Sequence, residues 1–296
     1  MSKPSYAIIT PAYNEAEFLP KVIDSIVTQD LRPLKWLIVD DRSHDNTWSI
    51  INEASKTHPF IEAIRLTGSQ DRKVGANVVR VFEEGLRRLT VDVDFLVKMD
   101  ADVALPRNYF SQIMDHFKRD PLLGMASGKT YNRQGSSWVL ERSPDFHVYG
   151  PCKTYRTSCF EDIDGLIPLL GWDILDGTKA RMKGWKTRSF RDLPIYHLRM
   201  MGSAKGMFRG RMRTGRVMYT IRAQPLFVLG KSLFRAIEKP YMSGLLIPFG
   251  YFASFVTRPE RLADMELAHF LRREQMGRLF GRTLDQEELI PRRLGG

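Results

Sequence analysis

With 296 residues, 43% of them hydrophobic and 27% charged, the chain has the composition of a soluble globular protein that can bury a full core as one large domain or a domain with an appendage. Its two cysteines, Cys152 and Cys159, form no Cys-x-x-Cys pair or Cys/His cluster, which argues against a disulfide scaffold and a zinc framework and for a reducing compartment. The net charge of +11 is concentrated between Arg199 and Lys239, where ten basic residues face one acid, Glu238; this suits phospholipid, a phosphate-bearing substrate or nucleic acid, or else a solvated helix face.

The start, "MSKPSYAIIT", carries no secretory pattern, so a cytosolic protein is expected. Tyr6 to Thr10 read as a buried strand stopped by Pro11, and Phe18, Leu19, Val22, Ile23, Ile26 and Val27 then recur at helical spacing to about Gln29. "LKWLIVDDRSHDNT" predicts a second strand, Leu34 to Val39, an acidic turn, and a helix from Thr47 capped by Asp45 or Asn46. A third strand, Ile61 to Leu66, leads through a polar loop to Gly75-Ala76-Asn77 and a helix to about Leu89. The fourth contains Phe95-Leu96-Val97 and ends in Asp100. If it continues to Asp102, the two aspartates share a face. Two hard oxygen donors so placed suit Mg2+ or Mn2+ on a diphosphate, although Asp-x-Asp is also common in plain turns. The alternation of strand and helix predicts an α/β fold with a parallel sheet covered on both faces. Ligands of such sheets bind beyond the carboxyl ends of the strands, so 11–15, 40–43 and 100–102 should be neighbours in a nucleotide pocket.

"ITPAYNEAEFL", "LIVDDRSHDNT", "KVGAN" and "VKMDADVALP", in this order, resemble family 2 glycosyltransferases of the GT-A fold over about the first 130 residues, and the likeness resumes in "GWDILDGTKARMKGWKTR". The resemblance implies an inverting sugar transfer from a nucleotide-sugar donor to a glycan or lipid-linked acceptor, with Mg2+ or Mn2+ as cofactor. It implies that Pro11, Ala12, Tyr13 and Glu15 hold base and ribose, and that Asp40 accepts the N3–H of a uracil-type base, favouring UDP or dTDP sugars, while Asp41 braces the turn with Ser43. Arg42 stands where the family usually has glycine. Lys73, Gly75 and Asn77 match diphosphate- and ribose-side contacts, Asp100 and Ala101 the ribose side, and Asp102 the metal ligand, which His197 would complete. Asp173, eleven residues before Gly184, matches the family's base, with Asp176 on the same helix face as second choice and Trp172 in place of the usual glutamate. Arg199 and Lys205 would steady the leaving diphosphate.

Further along, a helix is expected from Pro106 to Lys118, then a strand "LLGMASG", an acceptor-side segment with Gly150, Arg156, Glu161 and Asp162 as weak candidates beside plain surface acids, and a helix from Gly171 to Gly184. A short strand ends near Tyr196. The division expected is 1–198 for the catalytic domain and 199–296 for a basic, mainly helical appendage. Within the latter, Pro240 to Thr257 carries no charge and reaches only the lower limit for a membrane span, so it reads as an interfacial hairpin on an anionic cytoplasmic leaflet or as a homo-oligomer contact. The Gln-x-x-Arg-Trp pattern of processive synthases is absent from the sequence, which favours single addition. Competing readings are a non-catalytic sugar-nucleotide binder, a nucleotidyltransferase, and a basic nucleic-acid-binding protein; no nucleic-acid motif supports the last.

Overall fold

The computed structural model describes residues 3–68, 75–200, 204–237 and 241–281, with backbone alone for Met200, Ala204, Lys205 and Met207. The chain divides into two compact units, 1–73, 77–166 and 185–200 in the first and 74–76, 167–184 and 201–296 in the second. The segment 167–184, expected in the catalytic domain, thus folds with the C-terminal residues.

The first unit begins as β1 (Tyr6–Ala12), α1 (Leu19–Val27), β2 (Lys35–Asp40), α2 (Thr47–Thr57), β3 (Ile61–Arg65), α3 (Ala76–Arg88, its first residue assigned to the other unit) and β4 (Phe95–Met99). These four strands are parallel, in the order β3-β2-β1-β4; β1, β2 and β4 are largely apolar and buried on both faces, while β3 at the end of the sheet buries Ile61 and Ile64. Trp36 at the centre of β2 is fully buried, and its indole N–H donates to Thr10 Oγ1 at 3.0 Å. Pro11 does not stop β1: it pairs with Val39 in register, one position short of the strand's end, where a missing N–H is tolerated. Asp45 braces α2 from one residue before its cap, accepting from Thr47 N at 3.0 Å and from Ala16 N at 3.2 Å.

Beyond β4 the sheet is mixed rather than wholly parallel. It continues as β5 (Val103–Ala104), α4 (Tyr109–Arg119), β6 (Leu123–Gln134), β7 (Ser137–Leu140), β8 (Cys152–Arg156), α5 (Thr157–Asp162) and, after the insertion of 167–184, β9 (Lys186–Met200). Strand β8 enters antiparallel between β4 and β6, and β9 runs parallel to β6 and antiparallel to β5. The fourth strand, expected to end in Asp100, stops at Met99, so the condition under which Asp100 and Asp102 would share a strand face is not met. Asp100 N donates to Pro151 O at 2.8 Å and Leu198 N to Asp102 O at 2.8 Å, which turns the chain from β8 towards β9. Strand β9 is far longer than expected and continues past Tyr196 to Met200, absorbing Pro194 at a register shift opposite Gly128/Lys129. Both cysteines are buried, and neither forms a disulfide.

The second unit contains α6 (Trp172–Met182), α7 (Ala204–Thr220), α8 (Pro225–Ala236), a 3-10 turn (Ser243–Leu245), α9 (Leu246–Thr257) and α10 (Met265–Leu279). Leu175, Tyr219, Ile221, Val228, Ile247, Tyr251, Leu267 and Leu271 form its core. Helices α7 and α9 cross at two glycines: a Cβ on Gly215 would lie 2.0 Å from Ile247 O, and one on Gly250 would lie 2.2 Å from Met212 O. Arg181 and Glu274 make a buried bidentate pair at 2.6 and 2.8 Å.

At the bulge in β9 the carbonyl of Leu193 occupies the space a side chain on Gly128 would need, 1.9 Å from that Cβ. Backbone cannot yield as a flexible side chain can, so Gly128→Ala should cost about 1–3 kcal/mol of overpacking strain. Urea denaturation followed by circular dichroism measures it; an unchanged midpoint would mean that the bulge relaxes freely.

Candidate active site

The acids at the strand ends gather as one charged cluster in the first unit. Because β5 pairs with β9 immediately after Asp102, and because side chains on β9 alternate, His197 and Arg199 both reach that carboxylate. His197 Nε2 lies 3.1 Å and Arg199 Nε 3.0 Å from Asp102 Oδ2, so both bonds fall on one oxygen. Arg199 also grips Glu15 at 2.6 and 2.7 Å and lies over the ring of Phe18 at 4.9 Å. Asp100 takes a different cation, the ammonium of Lys98, which is itself buried and donates to Gly150 O at 2.9 Å.

These charges shift one another. Burial first, then the charge of Asp102, pushes Glu15 up to about 7 against the pull of Arg199. Burial also raises the carboxyl of Asp100, with Lys98 opposing and Asp102 adding to the rise. Burial would raise Asp102 too, but His197 and Arg199 outweigh it and hold its carboxyl below the usual range. His197 moves the other way: burial lowers it, and the hydrogen bond and charge of Asp102 raise it further than burial lowers it. Its tautomer follows from the neighbours. Asn132 Nδ2 donates to Glu141 Oε2 at 3.1 Å, which turns Asn132 Oδ1 towards His197 Nδ1 at 3.2 Å. Both ring nitrogens therefore face acceptor oxygens, which favours the protonated ring in line with its raised pKa, and the ring would give up a proton to ligate a metal.

The donors fit a hard divalent cation in kind, since carboxylate oxygens with one imidazole suit Mg2+ or Mn2+ that keeps room for phosphate oxygens. Among the described residues no three acids, histidines or cysteines form a ready cage; cationic side chains balance the acids instead.

The nucleotide-side candidates divide differently from expectation. Asp40, not Asp41, holds Ser43, its Oδ1 accepting from Ser43 N at 3.1 Å. Asp40 Oδ2 is buried, accepts no hydrogen bond, and meets Arg65 Nε only at 3.3 Å. Asp41 binds Arg42 through Oδ1 and accepts from Asn77 Nδ2 at 2.6 Å through Oδ2. Arg42 has φ of 61°, the left-handed backbone that glycine normally supplies, and is tied further to Gly68 O at 3.1 Å. A cavity of about 510 Å³ opens beside Asp41, Arg42, Arg65 and Asn77. Pro11 and Ala12 close β1, and Tyr13 meets His44 edge to face at 6.2 Å. Lys73 lies outside the described residues, as does the side chain of Lys205. Gly75 has φ of 89° and is pressed against Leu170, whose Cα would lie 2.8 Å from an added Cβ.

In the second unit Gly171, with φ of 97°, opens α6. Asp176 is buried, and its Oδ1 accepts from Gly177 N at 2.6 Å. Asp173 is half-buried and acts on Lys231, whose ammonium burial first, then Arg235, Arg278 and Arg211, push down to about 8 while Asp173 opposes.

Other candidates are structural. Arg156 donates to Phe117 O at 2.9 Å and Leu123 O at 3.2 Å, Asp162 accepts from Trp185 Nε1 at 2.9 Å, Glu161 is exposed, and Gly150 serves through its carbonyl. Sequence reasoning missed Lys98 and Asn132. Lys98 is signalled by a lysine inside an apolar strand; Asn132 has no local signal, because only the β6–β9 register brings it to His197.

A family model described as Glycosyl transferase family 2 matches residues 7–168, more than half of the chain. A poly-beta-1,6-N-acetyl-D-glucosamine synthase of Staphylococcus epidermidis is 25% identical over 131 residues, 44% of this chain and 30% of its own. A dolichol-phosphate mannosyltransferase of Pyrococcus furiosus is 28% identical over 138 residues, 46% of this chain and 36% of its own. The chain thus spans only about a third of these relatives. The mannosyltransferase PcManGT from Pyrobaculum calidifontis, in complex with GDP-Man and Mn2+, superposes with a TM-score of 0.58 at 18% identity, covering 98% of this chain and 86% of that one. S. aureus TarS 1-349 with UDP-GlcNAc gives 0.54 at 15%, covering 98% and 82%. These similarities establish the GT-A fold.

His197 is raised above its ordinary 6.5, so its pairing contributes stability that is full below that value and is lost as pH climbs through the folded midpoint. Asp102→Asn removes the acceptor's charge, so the His197 midpoint should fall and the stability loss above pH 6.5 should flatten. Histidine NMR titration reads this directly, and an unmoved midpoint would show that the pair does not form in solution.

Proposed function

The chain belongs to glycosyl transferase family 2, and from that premise we propose that it moves a sugar from a nucleoside diphosphate to an acceptor hydroxyl, with inversion, in polysaccharide or glycolipid synthesis. The observation that carries the reading is the joining of Glu15, Asp102, His197 and Arg199 at the carboxyl ends of the parallel strands. In one displacement the acceptor oxygen bonds to the anomeric carbon, its proton passes to the Asp173 carboxylate, and the bond from that carbon to the diphosphate breaks with its electron pair on phosphate. Asp173 is preferred to Asp176 because the latter is buried and engaged with Gly177 N. Asp102 and His197 would hold Mg2+ or Mn2+, which when bound offsets charge on the departing diphosphate. Arg199 is a second source of positive charge there. On the base side, Asp40 Oδ2, which accepts no hydrogen bond and has only the ion pair with Arg65, suits the N3–H of UDP or dTDP, and Tyr13 offers a ring face. The ammonium of Lys231, on which Asp173 acts, suits an acceptor with negative charge, such as a lipid-linked glycan phosphate.

Asp102→Ala and Asp173→Asn should each lower nucleoside diphosphate release at least about 100-fold. Full turnover in both would remove the site assignment, whereas donor binding without any turnover in the wild type would favour a sugar-nucleotide binder. Asp40→Ala should weaken UDP roughly tenfold in calorimetry, the equivalent of about 1.4 kcal/mol, with little change for GDP; equal losses for both bases would withdraw the N3–H contact.

A further inference from the structure

Within the second unit, α8, the 3-10 turn and α9 form a helical hairpin whose outer side is apolar. Gly244 lets the turn press on α8, since an added Cβ would lie 2.3 Å from Ser232 O. Helix α8 directs Val228 and Ser232 inward and leaves Leu226, Leu229 and Leu233 exposed at helical spacing, Leu233 by 67%. Helix α9 buries Ile247, Gly250, Tyr251 and Ser254 and exposes Phe249, Phe252 and Val256, the last by 85%. The two helices are consecutive, and Tyr241, Met242 and Leu245 between them are exposed as well. A patch of this kind on an isolated chain marks a surface that something covers.

Charge identifies the covering. From Arg199 to Pro259 the only acid is Glu238. Arg209, Arg213 and Arg216 are exposed on α7, which is locked to α9 by the Gly215 and Gly250 crossing, and Arg258 is exposed at the end of α9. A second copy laid on the same face would bring like charges together with no acid on α7, α8 or α9 to answer them, and a nucleic acid would leave the phenylalanines and leucines in water. An anionic bilayer answers both properties: acyl chains for the hairpin, lipid phosphates for the arginines. No described helix is long and apolar enough to cross a membrane, so the contact is with one leaflet.

We propose that the α8–α9 hairpin is a one-leaflet membrane anchor, with Leu229, Leu233, Phe249 and Phe252 inserted at the acyl boundary and Arg213 and Arg216 among the headgroups. This goes beyond glycosyl transfer and does not depend on it, since vesicle binding requires neither donor nor acceptor.

The test is flotation of the full chain with phosphatidylcholine vesicles, with and without phosphatidylglycerol, at low and high salt. Wild type should float with the anionic vesicles, weaken but persist at high salt, and stay down with pure phosphatidylcholine. Leu233→Glu plus Phe252→Glu, both at exposed positions, should lower the bound fraction roughly tenfold or more at either salt, and Arg213→Glu plus Arg216→Glu should remove the salt-sensitive part. Hydrogen exchange on wild type, which needs no variant to fold, should slow in 226–257 when anionic vesicles are added. Wild type left unbound at low salt, equal binding to both vesicles, or slowing elsewhere in the chain would overturn the proposal. So would an apolar double variant that binds as wild type while changing from oligomer to monomer by light scattering. Donor hydrolysis assayed without vesicles should be unchanged in all variants, so a failed anchor and a failed transferase reading give different results.

Discussion

Like charge brought together in a poorly hydrated place is the constraint on which the catalytic unit depends. Glu15, Asp100 and Asp102 come from the ends of β1 and β4 because parallel strands deliver their last residues to one edge. Left alone, three carboxylates there would repel and take up protons. The fold answers them with three cations from two strands: Lys98 from β4 for Asp100, His197 from β9 for Asp102, and Arg199 from β9 shared between Asp102 and Glu15. The turn after β4 follows from the same requirement, since only a reversal lets β5 pair with β9 and bring the imidazole and guanidinium alongside Asp102. A cluster balanced in this way is poised for exchange of partners. Arg199 is held by hydrogen bonds that an anionic ligand can replace, while Lys98, buried between Asp100 and Gly150 O, is fixed.

The second acidic pair shows how neighbouring aspartates take different work from one backbone step. Asp40 is the last residue of β2 and points into the core edge, where one oxygen serves Ser43 and the other accepts no hydrogen bond and is ion-paired with Arg65 at 3.3 Å. Asp41 points away and is consumed by Arg42 and Asn77. The arginine in left-handed backbone is the cost of this arrangement. A non-glycine residue there is disfavoured by roughly 1–2 kcal/mol, and the ties from its guanidinium to Asp41 and Gly68 O offset it.

What could be read from the residues follows from how local each signal is. Four apolar runs separated by amphipathic helices identify the parallel half directly, and the strand-end acids follow from it. The mixed half could not be read in the same way. β8 carries Lys153 and Thr154 at fully buried positions, so it shows no apolar run. β9 contains Pro194 and several charges, and only its pairing with β6 shows it to be one strand through to Met200. Arg199, read from resemblance as a diphosphate contact, turns out to be held by Glu15 and Asp102; that partnership joins positions 184 apart in sequence and cannot be seen in either neighbourhood. Arg156 and Asp162 were legible as charged groups but not as structural ones, because a cation bonded to helix-end carbonyls and an acid bonded to an indole look alike in sequence to surface charges.

The helical unit raises the opposite question, since its sequence has more hydrophobicity than its fold consumes. Packing α9 against α7 requires one stripe, and Ile247, Gly250, Tyr251 and Ser254 provide it; two of these four are small because the backbones approach so closely. Phe255 meets Tyr219 of α7 at 4.8 Å, but Phe249, Phe252 and Val256 stand exposed where a soluble helix would place lysine or glutamate. Exposed aromatic and aliphatic side chains tend to cause association and contribute nothing to the stability of the isolated unit. Nearby exposed positions on α7 are arginines, so the sequence is not simply poor in polar residues there. Exposed apolar positions fall mostly on α8 and α9 and exposed cationic ones on α7, and that sorting is not required by the packing of the helices on one another.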